Sequence, residues 1–211
     1  MSSFTPKLKR TPKPRTARLP IHGKADHNLG FLAAIGGLVV NWSNNESVFL
    51  AMLQCLLKLD GLVVSIVWHS QRTSKARLDL IARLSRQQIQ DTSLVEDIED
   101  AISKFSGLSR TRNFFCHATY EYAQDLSLLT ATSYSLANEG DPIRRDTKPM
   151  NLATLNEIGH ASVQLAEFNR GLWKLVRRME AALGVQRLMP LGAPSDNRLP
   201  EVPPSPTDTA P

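Results

Sequence analysis

The chain has 211 residues, a net charge of +5 and two cysteines, and 42% of it is apolar. That suits one domain of ordinary size with tails. The apolar run Phe31 to Val40 is too short for a membrane helix of ~20 residues, the N-terminus lacks the apolar stretch of a secretory signal, and Cys55 and Cys116 stand in no metal-like cluster, so a reduced, cytoplasmic setting is expected.

The charge is unevenly placed. Residues 1–26 carry seven basic side chains against Asp26, residues 187–211 sum to −1, and the body between them is neutral. The basic character belongs to one tail. Residues 1–25 mix Pro6, Pro12, Pro14 and Pro20 with basic and hydroxyl side chains. A disordered arm is predicted, either solubilising or adding affinity for RNA or another polyanion.

From His27 to Lys58 apolar residues recur at three- and four-residue steps, which predicts one long helix. Gly36-Gly37 can bend it or admit a neighbouring backbone. Glu46 falls on or beside the inward face, where a carboxylate needs a partner. It can orient a histidine, pair with an arginine of the motif helix, or snorkel to water. Asp60-Gly61 breaks this helix. Leu62 to Ser70 predicts a short, very apolar helix, buried or in an interface. Ser74 to Gln90 predicts an amphipathic one with Leu78, Ile81, Leu84 and Ile89 inward and Lys75, Arg83 and Arg86 outward.

Thr92 and Ser93 predict the N-cap of a fourth helix, about 25 residues long, whose stripe Leu94, Ile98, Ile102, Phe105 and Leu108 runs into Arg112-Asn113-Phe114-Phe115-Cys116-His117. Residues 119–137 predict a hairpin, Thr119–Tyr122 with Leu126–Leu136, turning near Gln124-Asp125. A third extended piece is expected at Ile143–Thr147, after a Glu139–Pro142 turn. The last helix starts at Asn151 or Thr154, with a possible capping box to Glu157, and ends at Leu183-Gly184. The proline-rich stretch 186–211 is a second disordered tail. The folded domain is therefore expected over residues 26–185.

Arg112 and His117 carry the chemistry. A guanidinium holds a phosphate in a fixed fork, and an imidazole moves a proton near neutral pH. Five residues separate them, roughly 140° around an ideal helix. Convergence on one phosphate requires a kink, a frayed last turn, or a partner chain. Cys116 is predicted to be a buried, inert thiol, because adjacent helical positions cannot form a cysteine–histidine dyad. The five histidines (His22, His27, His69, His117, His160) are scattered, so neither a metal site nor a cofactor is expected.

The pattern Arg112-Asn113-x-x-x-His117, late in the fourth helix and followed by a polar-aromatic turn, resembles the signature of HEPN domains. The resemblance spans about residues 27–183. It implies an all-α, HEPN-like bundle of about five helices, two of them long and antiparallel, with a small β-ribbon inserted before the last. It further implies a homodimer acting on RNA as a metal-independent endoribonuclease, in a toxin–antitoxin or anti-phage defence setting with a possible antitoxin partner. His117 would serve as general base or acid, and Arg112 would hold the scissile phosphate. Asn113 would orient the histidine or a phosphate oxygen, with Glu46 and Tyr120 in support. Ala118 departs from the glycine many relatives carry after the histidine. The alternative is a non-catalytic dimeric module that binds RNA or protein.

Overall fold

The computed structural model describes residues 24–135 and 143–185. The expected tails lie outside these residues, except that Lys24 and Ala25 begin the first helix, and so does the Glu139–Pro142 turn. Five helices, α1 (Lys24–Leu57), α2 (Gly61–Ser70), α3 (Ser74–Gln88), α4 (Thr92–His117) and α5 (Leu152–Leu183), surround one core. Three strands, β1 (Thr119–Tyr122), β2 (Leu128–Ser135) and β3 (Arg144–Pro149), form an antiparallel sheet in that order before α5.

Each helix boundary has a local cause. The chain leaves α1 through Lys58, whose φ of 53° lies in the left-handed region, and the Asp60 side chain caps α2 by accepting from the Leu62 amide. Thr73 caps α3. α4 is capped one residue earlier than its Thr92-Ser93 pair suggested: Asp91 Oδ1 accepts from the amides of Ser93 and Leu94 at 3.0 and 3.2 Å. A carboxylate there also suits the helix dipole. Asn151 caps α5 by accepting from the Thr154 amide. Glu157 forms no capping box, because Asn151 rather than Thr154 is the N-cap and Glu157 lies a turn further into the helix, where both its oxygens accept from Lys148 Nζ. Gly184 closes α5 at φ 61°, where glycine carries no Cβ penalty.

The two longest helices, α1 and α5, run parallel rather than antiparallel. Asn41 Nδ2 donates to Ser162, Asn45 Nδ2 to the Leu165 carbonyl, and Lys58 Nζ to the Leu183 carbonyl, so contacts advance in the same direction along both chains. The cause is α4, which already runs against both. Trp42 of α1 meets Phe105 and Arg112, and Phe168 and Arg178 of α5 meet Phe105 and Asp97. The ribbon then reverses the chain once more. Gly37 lies at the α1–α5 contact, with Ser162 Oγ 3.7 Å from where a Cβ would stand.

Trp42, Phe49, Phe105 and Phe168 form the aromatic centre of the core. Phe105 stacks on Trp42 at 4.0 Å and on Phe168 at 6.0 Å between ring centroids. α2 departs from expectation in part. Val64 and Trp68 are buried, whereas Leu62, Val63 and Ile66 face outward.

The ribbon is tied to α1 by Asn28, whose side chain donates to the Leu126 carbonyl and accepts from the Leu128 amide, both at 2.8 Å. Those bonds hold the turn in which Leu126 takes a φ of 65°. A register shift between Glu121 and Tyr122 lets Tyr122 face Leu128, on the side of the ribbon that also carries Tyr120 and Ala131 towards the helices.

Asn45 is fully buried and bonds the carbonyls of Asn41 and Leu165, which fixes the register of the parallel pair. Replacing it with alanine removes both bonds, and the expected cost is about 1–3 kcal/mol. Thermal unfolding of Asn45→Ala checks this; an unchanged midpoint would show that apolar packing alone aligns α1 with α5.

Candidate functional site

α4 is one unbroken helix from Thr92 through His117. Its inward stripe reads Ala101, Phe105, Leu108, Arg112 and Phe115 at steps of three and four, so Arg112 stands where the spacing would place an apolar residue. The guanidinium carbon lies 5.5 Å from the centroid of Trp42, within cation–π range. Arg112 Nη1 donates to Asn113 Oδ1 at 2.9 Å. Arg112 Nε and Trp42 Nε1, by contrast, are buried without a hydrogen-bond partner among the described residues.

His117 occupies the last helical position, exposed to solvent. It makes no hydrogen bond or ion pair among the described residues. Phe114 and Phe115 face inward, and Lys148 Nζ lies 5.1 Å from the Phe114 ring. One step further round, Cys116 is exposed rather than buried, because the two phenylalanines have taken the inward positions. The buried thiol is Cys55, pushed up to about 11 by burial and then by nearby Glu180. Ala118 ends the helix in an extended conformation, φ −72° and ψ 148°, which any residue adopts without strain. No glycine is required there.

Tyr120 locks this end of α4. Its hydroxyl donates to the Phe115 carbonyl at 2.6 Å, one of the four carbonyls a helix C-terminus leaves unpaired. Burial raises the phenol to about 12, with smaller contributions from Cys116 and Tyr122. Glu46 serves a different contact. Its Oε1 accepts from Ser74 Oγ at 2.8 Å and lies 3.5 Å from Arg77 Nη1, so it joins α1 to α3. It takes no part in the motif.

Because α4 stays helical throughout, Arg112 and His117 point to different sides of it, roughly 140° apart. Arg112 faces Trp42 and His117 faces solvent. The residues that share the histidine's face are Asn113, one turn back, and Arg110, two turns back, all exposed. The sequence reading overlooked Arg110. Helical spacing alone identifies it, since a seven-residue step returns to within about 20° of the same direction. Among the described residues no group of three or more His, Cys, Asp or Glu side chains is placed to hold a metal, and no single helix is long and apolar enough to cross a membrane. No family model, curated protein or solved structure matches this chain.

Two outcomes follow from this geometry. Arg112→Met keeps the stem on Trp42 and removes the unpaired Nε. The thermal midpoint is expected to stay level or rise, as when a buried charge gives way to an apolar side chain of similar shape; a clear fall would show that the guanidinium itself stabilises the fold. The second outcome concerns alkaline pH. A phenol whose folded value lies above its ordinary value of 10.0 adds stability that is complete below pH about 10 and disappears as pH rises towards about 12. Unfolding midpoints of the wild type should fall across that interval, and those of Tyr120→Phe should fall less.

Proposed function

We propose that this chain is a HEPN-like, metal-independent endoribonuclease that works as a homodimer. The observation that carries the reading is that an exposed His117, with no partner among the described residues, and an Arg112 braced on Trp42 stand in the final turns of one continuous helix. Each protomer offers a proton carrier and an anion holder that diverge on their own helix, so a two-fold axis beside α4 is required to bring a histidine and an arginine from opposite protomers to one phosphate.

The reaction needs only these groups and the substrate's own 2′-hydroxyl. One neutral His117 takes the 2′-hydroxyl proton as the 2′-oxygen attacks phosphorus. The P–O5′ bond breaks, and the departing O5′ takes a proton from the protonated His117 of the second protomer. Arg112 holds the phosphate and stabilises the charge that grows on its oxygens. The products are a 2′,3′-cyclic phosphate and a 5′-hydroxyl. A toxin–antitoxin or defence setting, with an antitoxin as a possible partner, follows from the HEPN resemblance.

One observation favours a second reading. The Arg112 guanidinium is already engaged by Trp42 and Asn113, which suits a module that binds RNA or protein without cleaving it. Purified wild type and His117→Ala, incubated with mixed RNA in EDTA, separate the two readings. Under the nuclease reading the wild type yields cyclic-phosphate ends, while Arg112→Ala and His117→Ala each lose at least about a hundredfold in rate, as expected for general acid–base and charge-stabilising groups. Equal, negligible cleavage by all three would leave the binding module.

A further inference from the structure

α4 leads through Ala118 directly into the ribbon, and the exposed side chains of the two elements share a chemistry. Arg110, Asn113 and His117 line one exposed stripe of α4, with Arg110 about 10 Å from His117 along the axis. From Ala101 to Tyr120 the chain holds no acid. Arg110 has no hydrogen-bond or ion-pair partner among the described residues, although the folded body as a whole is neutral.

The ribbon joins this stripe at its histidine end. Thr119 begins β1 two residues after His117 and pairs with Thr132. Tyr134 lies two residues beyond Thr132 in β2, at the same end of the ribbon, and its register partner in β3 is Arg145. Strand alternation assigns Tyr134 and Arg145 to one face together with Thr132 and Thr147. Ala131 and Lys148 occupy the opposite face, towards the helices. Tyr134 is 58% exposed, and Arg145 is exposed with no partner among the described residues. Among the described residues, the acids nearest in register are Asp146 and Glu121. Alternation turns Asp146 to the other face with Ser133. Glu121 shares this face beside Thr130, about 13 Å along the strand from Tyr134.

We propose that single-stranded RNA crosses this protein on a track made by Arg110, Asn113 and His117 of α4 and continued by Tyr134 and Arg145 of the ribbon. The occupant follows from the surface chemistry: two guanidinium groups with no partner among the described residues, suited to backbone phosphates, and a solvent-facing phenol ring on which a base can stack. Arg110 takes a phosphate on one side of the nucleotide at His117. Tyr134 and Arg145 take the base and phosphate on the other side. The track deepens the ribonuclease reading by naming where the flanking nucleotides lie, and it also stands if the site only binds.

The test is binding of a short fluorescein-labelled single-stranded RNA in EDTA, followed by anisotropy over a range of salt. Every variant is made in His117→Ala, so that no RNA is cut. Arg110→Ala and Arg145→Ala are each expected to weaken binding about five- to tenfold and to lower the logarithmic salt slope by about 0.7. Tyr134→Ala is expected to weaken binding about tenfold with the salt slope unchanged. Arg83→Ala, the same charge change on the exposed side of α3, is expected to bind like its parent.

Parental affinity in the Arg110 and Tyr134 variants would overturn the track, as would an equal loss in Arg83→Ala or no RNA binding at all. The nuclease reading fails separately. RNA held on the track but left uncut by a wild-type His117 protein would retire the nuclease and keep the track. Cleavage at unchanged KM by Arg110→Ala and Tyr134→Ala in that background would keep the nuclease and retire the track.

Discussion

The continuity of α4 is the constraint on which every functional statement depends. A break or a frayed turn between Arg112 and His117 would let the two side chains swing together, and the helix is continuous through both. Three contacts hold the helix true at the motif. Phe105 is stacked between Trp42 and Phe168, Phe114 and Phe115 are buried side by side, and the Tyr120 hydroxyl takes up a terminal carbonyl. Unbroken helical geometry then sorts the motif by angle. Arg112 goes inward, and Arg110, Asn113 and His117 go outward as a set.

Much of this architecture could be read from the residues, because it follows from local rules. The 3.6-residue periodicity of α1, α3 and α5, the glycine stop at Gly184 and the ribbon between motif and last helix all depend on near neighbours in the chain. The misread features were of two kinds, choices between neighbouring caps and contacts with distant residues. Asp91 rather than Thr92 or Ser93 caps α4, a one-residue difference between equally competent caps. Glu157 has the spacing of a capping box from Thr154, but the helix starts three residues earlier, at the Asn151 cap, and Lys148 of β3 pairs with Glu157 instead. The direction of α5 relative to α1 has no signature in either helix. It emerges only from counting the reversals made by α4 and the ribbon, together with the Asn41, Asn45 and Lys58 bonds that lock the result.

The candidate site was legible in composition and illegible in geometry. Arg112 and His117 announced phosphate and proton chemistry by residue type. Glu46 looked equally suggestive, as a carboxylate near the inward face of α1, but Ser74 and Arg77 account for it. The local motif also concealed a choice between arginines. Arg110 and Arg112 are two residues apart, hence about 200° apart on a helix, and only one of them can share a face with His117.

What remains to be explained is why an arginine stands in the apolar stripe of α4 at all. Leucine or methionine at position 112 would cover Trp42 with no polar atom to satisfy. Arginine instead buries an Nε that finds no acceptor, beside a Trp42 Nε1 in the same condition. A buried donor without an acceptor costs on the order of 1–3 kcal/mol, and the cation–π contact returns at most a similar amount. Packing therefore gives little reason for the guanidinium. A role that needs a positive charge held at a fixed place in the last turns of α4 does give one. It would also be served by the rigidity that Trp42 and Phe105 impose, since an anion holder works best when its position is set before the anion arrives.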